Sequence, residues 1–212
     1  MRILFSIFLT LLLADCTLAQ SGRASPFRVQ NLALRSIPRA MPHQGTPVVA
    51  KRWTDQLGEN TLILTQTGKI NRPGADSGSD AEVYAYHYVR QGGATSLLWR
   101  TVDFVRECEF DLYAGFIPES VAFTDLDADG VVESSFMYLV ACRSDVSPAT
   151  LKLIMHEGAQ KLAARGTSRP RGAEEGGAMQ LDAAFARAPR GFGVFASEQW
   201  RRFRGRDTFQ QF

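Results

Sequence analysis

The stretch "AEVYAYHYV", residues 81–89, decides the fold. Its residues alternate without a break. Val83, Ala85, His87 and Val89 fall on one side of an extended chain, and Glu82, Tyr84, Tyr86 and Tyr88 fall on the other. A period of two is the side-chain repeat of a β-strand. Working outward, "NTLILTQTG" (60–68), "TSLLWRTVDF" (95–104), "SVAFTDL" (120–126), "VVESSFMYLVA" (131–141) and "ATLKLIMHE" (149–157) have the same texture. They are rich in Val, Thr, Tyr, Phe, Leu and Ile, and most are bounded by Gly, Pro, Asn or Asp. The expectation is a mainly β protein, an antiparallel sheet or sandwich or a partly open barrel. The tail differs. "FASEQWRRFRG" (195–205) spaces Phe195, Gln199, Trp200 and Phe203 at helical intervals, with Ser197 as the expected N-cap and Gly205 as the stop. A short C-terminal helix packing Trp200 and Phe203 onto the sheet follows.

The chain of 212 residues is 45% hydrophobic and 22% charged, an ordinary globular balance. Its first residues are not ordinary. Arg2, an apolar run from Ile3 to Ala14 and the small-residue exit Thr17-Leu18-Ala19 follow the plan of a secretory signal peptide, residues 1–19. The run is too short for a bilayer core that takes about twenty residues, and no later segment approaches that length. The mature chain is expected to lack a transmembrane segment and to reside in the periplasm or at the cell surface. "LLADC" also resembles a bacterial lipobox, which makes a lipoprotein anchored at Cys16 the alternative. Residues 20–47, rich in Ser, Pro, Arg and Gln, read as a flexible N-terminal arm. Residues 48–212 read as a single β-rich domain without internal repeats.

The net charge of +2, unchanged by loss of residues 1–19, gives no footprint for nucleic acid. Of the 24 basic residues only Lys51, Lys69, Lys152 and Lys161 are lysines, a compositional skew rather than a binding surface. The basic stretch "QWRRFRGR" reads as a solvated helix face. Two cysteines survive maturation, Cys108 and Cys142, and an even number in an exported chain points to one disulfide.

One loop carries chemistry. "DLDADGVVE" (125–133) sets Asp125, Asp127 and Asp129 at alternate positions, then Gly130, then Glu133. Four like charges in nine residues repel one another, and a hard cation with oxygen ligands relieves the repulsion. Asp125, Asp127 and Asp129 supply side-chain oxygens, Val131 its carbonyl and Glu133 the last carboxylate, while Gly130 permits the sharp turn. An all-oxygen set favours Ca²⁺ over zinc or copper. The EF-hand's bidentate Glu is missing, since the twelfth position is Phe136, and the flanks read as strands. The loop is similar to the strand–loop–strand calcium hairpins of FG-GAP blades. The competing reading is an acidic hairpin without an ion.

Catalytic constellations are absent from the sequence. His43, His87 and His156 are scattered, and His87 reads as a satisfied sheet residue. "HEGAQ" (156–160) opens like a zincin motif, but Gln160 stands where the second His belongs. "ADSGS" (75–79) has no His and Asp context. Carboxylates wrapped on one short loop converge on a point, whereas glycosidase carboxylates face each other about 5–10 Å apart.

The pattern W-x-D-x-x-G-x-N (Trp53, Asp55, Gly58, Asn60), then C-x-x-D (Cys108, Asp111), LDxDGxxE and CRSDVSP (142–148) resembles a family of exported Gram-negative bacterial proteins, largely uncharacterised. Some of its members carry a label connected with surface polysaccharide. The resemblance spans Arg52 to Gly166, with an echo at Trp200, and implies bacterial export and a shared fold but no activity. In "CRSDVSP", Asp145 or Ser144 is placed to bond turn amides. Alternatively, Arg143 beside Asp145 lines a polar recognition site. The expectation is a binding or structural module holding calcium, its partner an envelope glycan or another envelope protein. The alternative is a periplasmic enzyme acting on envelope glycans, with calcium as a structural ion. A closed aromatic face around Tyr84, Tyr86, Tyr88 and Trp99, packed by the C-terminal helix, favours the module, and an open cleft with a carboxylate pair outside residues 125–133 favours the enzyme.

Overall fold

A computed structural model describes residues 27–74 and 78–207; the expected signal peptide and Cys16 lie outside the described residues. The chain forms β1 (Gln30–Asn31), β2 (Thr46–Asp55), β3 (Gly58–Gln66), β4 (Ile70–Asn71), β5 (Ser79–Gln91) and β6 (Ala94–Cys108). It continues through β7 (Asp111–Thr124), β8 (Glu133–Arg143), β9 (Thr150–Glu157), β10 (Gln160–Thr167) and β11 (Met179–Leu181) to one helix, α1 (Arg190–Phe203).

The strands build two antiparallel sheets. The first runs β1-β2-β3-β5-β6, with the short β4 also paired to β5, and the second runs β11-β10-β9-β8-β7. Face to face they make a sandwich, and no ladder closes them into a barrel. The alternation in residues 81–89 does what a period of two requires. Val83 and Ala85 enter the layer between the sheets with Trp53, Leu62, Leu64 and Trp99, against Phe116, Phe136, Tyr138 and Ile154. Tyr84, Tyr86 and Tyr88 turn to the outer face with Ile63.

Two covers complete the core. α1 lies over the outer face of the second sheet, burying Phe192, Ala196, Trp200 and Phe203 against Met137, Leu139, Leu153 and Met155. The Trp200 indole donates to the Gly177 carbonyl at 3.1 Å. The helix starts seven residues before the expected cap: Pro189 is its N-cap, and Ser197 sits inside it, its hydroxyl donating to the Gly193 carbonyl. Pro189 makes no side-chain cap hydrogen bond, so no capping hydroxyl marks this start in the sequence. Burial on two faces also explains β8, whose residues 133–141 are all buried.

The second cover comes from the segment expected to be a loose arm. From residue 27 on it is laid along the first sheet. β1 pairs β2, Met41 is buried, and the Gln44 amide donates to the Tyr86 hydroxyl at 3.0 Å. The Tyr88 hydroxyl donates to the Pro42 carbonyl. Val48, the expected start of the domain, falls inside β2.

Cys108 and Cys142 form a disulfide that ties the end of β6 to the end of β8, and so one sheet to the other. Closing a loop of 34 residues contributes about 3–4 kcal/mol through the entropy of the unfolded chain. No helix among the described residues is long and apolar enough to cross a membrane.

Candidate metal centre

The β7–β8 connection brings three of the four expected carboxylates together, and Asp129 falls in a different group. Asp125, Asp127 and Glu133 each place an oxygen within 4.8 Å of the others. A second group under the same limit joins Asp127 and Asp129 to Glu157. Glu157 is the residue that sequence reasoning missed. It lies 24 positions beyond Glu133, out of reach of any spacing argument. Strand register explains its presence: β8 and β9 pair with Ser134 opposite His156, so one further step brings Glu133 beside Glu157.

The charges are costly as they stand. Glu133 is 1% exposed, and burial pushes its pKa up despite hydrogen bonds from Thr124 and the Leu126 amide. Burial, then the charges of Asp127, Asp129 and Glu133, push Glu157 up to about 7. One of its oxygens, Oε1, is buried without a hydrogen-bond partner. The loop backbone folds around its own side chains: Asp129 Oδ1 accepts the Val131 amide at 2.7 Å, and Asp125 Oδ1 the Gly130 amide at 3.5 Å. Val131, whose carbonyl is the expected seventh-position ligand, thus has its N–H committed inward. Ala128 and Gly130 both take positive φ, 62° and 82°. At Gly130 a Cβ would stand 2.4 Å from Gln56 Nε2, so glycine serves both the turn and a close approach.

That approach shows what positions the loop. The β2–β3 turn grips it from the opposite sheet. Gln56 donates through its amide to the Gly130 carbonyl at 3.1 Å and through Nε2 to the Asp129 carbonyl at 2.7 Å. Asp55 is the hub. Its Oδ1 accepts the Leu57 amide and Asn60 Nδ2, and its Oδ2 accepts Trp53 Nε1 and the Val132 amide, all at 2.7–3.1 Å. The motif W-x-D-x-x-G-x-N is therefore one device. Gly58, at φ 118° and with no room for a Cβ beside the Arg90 carbonyl, lets the turn close; Trp53 and Asn60 orient Asp55.

Behind the turn lies a buried polar row. Asn60 already donates through Nδ2, so its Oδ1 accepts from His87 Nε2 at 2.8 Å. Trp99 meets His87 edge-on and stacks on His156 at 3.7 Å. Burial holds both histidines neutral, down to about 4 for His87 and about 3 for His156. His43 is remote from them, its ring bonded to the Met41 carbonyl. The "HEGAQ" segment is the β9–β10 hairpin, not a helix.

Arg143 and Asp145 part company. The buried Arg143 guanidinium bonds Asp207 at 2.8 Å and donates to the Ser147 carbonyl, pinning the segment beyond α1. Asp145 accepts the Ser147 amide at 2.8 Å, as a turn aspartate does, and that bonding lowers its pKa. The Tyr84–Tyr86–Tyr88 ladder is closed, but by residues 37–44 rather than by α1. Compared with known proteins, the chain matches no family model, no curated protein and no solved structure, so its functional reading rests on its own residues.

Proposed function

We propose that this chain is an exported domain of the periplasm or cell surface that binds Ca²⁺ and serves as a binding or structural module. The observation that carries the reading is a pair of carboxylate triads joined at Asp127: Asp125, Asp127 and Glu133 in one, Asp127, Asp129 and Glu157 in the other. Glu157 supplies from the sheet the carboxylate that an EF-hand draws from its twelfth position. Six to eight oxygens at 2.3–2.6 Å suit calcium, and either triad supplies three carboxylates toward that number, with carbonyls and water left to complete it. The ion acts by linkage: bound to the folded state alone, it adds a few kcal/mol at concentrations well above Kd. The disulfide accords with an oxidising compartment.

The module is favoured over a glycan-cleaving enzyme by the closed tyrosine ladder. Four surface concavities of about 290–660 Å³ also each present, among the described residues, a single carboxylate, Glu59, Glu109 or Asp111, where glycoside hydrolysis uses two. The test is a thermal melt of the oxidised protein in calcium and then in excess EGTA, with a calcium titration by calorimetry. A rise of several degrees in calcium, lost in Asp127→Ala, is expected. An unchanged melt with no heat of binding refutes the calcium reading.

A further inference from the structure

The edges of the two sheets are not treated alike. β1 and β4 have two residues each and β11 has three, while β7 is broken by a register shift between Ile117 and Ala122 and carries Pro118. These are the usual ways of blunting an edge. β6 has none of them along its middle. It runs 15 residues without proline or lysine, pairs only with β5 among the described strands, and keeps unbroken register from Trp99 to Val105. Its one inward charge, Asp103, is taken up by Lys152 and the Tyr138 hydroxyl.

The open hydrogen-bonding groups of β6 are identifiable. Glu82 bonds Thr67 through both its carbonyl and its amide, so its backbone faces away from β6. Phe104, opposite Glu82, therefore points its own N–H and C=O outward, and that N–H bonds only the adjacent Asp103 carboxylate at 3.0 Å. Strand alternation gives Arg100 and Val102 the same orientation. Their side chains also share the outer face, where Val102 and Phe104 are 39% and 51% exposed. The Arg106 guanidinium lies over the Phe104 ring at 4.3 Å.

We propose that β6 is a docking edge for a second copy of this chain, the two β6 strands pairing antiparallel about a twofold axis at Val102. The argument is self-complementarity. This axis sets Val102 against its own copy and Arg100 against Phe104 of the partner copy, leaving no like charges opposed. Arg100 then reaches the Phe104 ring, whose own guanidinium neighbour, Arg106, is neutralised by Asp80 and Glu82. An axis at Asp103 fails, because it opposes Asp103 to itself and Arg100 to Arg106. An axis at Thr101 gives up the Arg100–Phe104 contact. Pairing merges the two first sheets into one and joins their exposed apolar strips, and a net charge of +2 offers little repulsion.

The test is sedimentation of the oxidised full chain over a concentration series, alone and as Val102→Lys. A dimer that dissociates on dilution is expected, and Val102→Lys, which opposes like charges on the axis, should be monomeric with the melt of the diluted parent. With Cys16→Ser as background, Val102→Cys should cross-link to itself on mild oxidation. Arg100→Cys and Phe104→Cys should not cross-link singly but should do so together, since opposed strand residues lie within disulfide reach. A monomer at every concentration, including one that instead takes an extended peptide on β6, overturns the proposal. So does a dimer that Val102→Lys leaves intact.

Discussion

Asp55 ends β2 and Val132 lies 77 residues on, in the β7–β8 connection, yet the Asp55 carboxylate accepts the Val132 amide at 3.1 Å. That bond fastens the acidic loop to the β2–β3 turn, and the same carboxylate orders the turn through Leu57, Asn60 and Trp53. Asp55→Ala leaves four donors without their acceptor. Hydrogen bonds to a charged group contribute about 1.5–3 kcal/mol each, and their loss is not additive. A destabilisation of about 3–4 kcal/mol is expected in urea melts, with a weaker calcium response than the parent protein.

Glu157→Gln separates the ion from the fold. Without calcium the native state holds Glu157 protonated up to about pH 7, well above its unfolded value of 4.5. The native state thus binds the extra proton between those values, and this contribution to stability is lost as pH rises through 7. Glutamine removes the charge. In EGTA at pH 8 the variant should melt higher than the parent, and in calcium it should bind the ion more weakly. A variant less stable in EGTA would contradict the burial argument.

His87 and His156 respond to pH in the opposite sense. Both are nearly fully buried, with folded values of about 4 and about 3 against an unfolded 6.5. The unfolded chain binds the protons first, so stability is complete above pH 6.5 and falls as pH drops toward 4 and 3. For His87 alone the loss by pH 4 is about 3 kcal/mol. The measurement is a set of urea melts between pH 8 and pH 4 in a Glu157→Gln background, which removes one opposing titration and leaves that of Glu133 common to both arms. His87→Gln should flatten the slope.

Reduction of the Cys108–Cys142 bridge releases the joint between the sheets. A loss of about 3–4 kcal/mol is expected, read as a lower denaturant midpoint in dithiothreitol, and matched by the double variant Cys108→Ser, Cys142→Ser.

Local pattern carried the strands and the loop. Residues 81–89 sort by face because burial on one side and cover on the other follow a period of two. Asp125, Asp127 and Glu133 converge because they sit within nine residues, on the β7–β8 connection and the first position of β8. What escaped was set by register between distant segments. Glu157 reaches the loop only because Ser134 pairs with His156, and nothing near Glu157 in sequence announces it. α1 was placed too late because Gly191 and Gly193 interrupt the apolar spacing around Phe192, although tertiary burial holds that turn in the helix. The role of Asp55 was equally hidden: its motif was visible, but its partner lay in the distant β7–β8 connection.

Residues 37–44 over the tyrosine ladder have a practical side. A chain begun at Val48, where the β texture starts, would lose Pro42 and Gln44 and with them the acceptor for Tyr88 and the donor to Tyr86. Three tyrosines in a row would then face water on a broad pleated surface. Such a surface adheres to its neighbours as concentration rises. The shortened protein would keep its acidic loop and its disulfide and still come out of the cell as a precipitate.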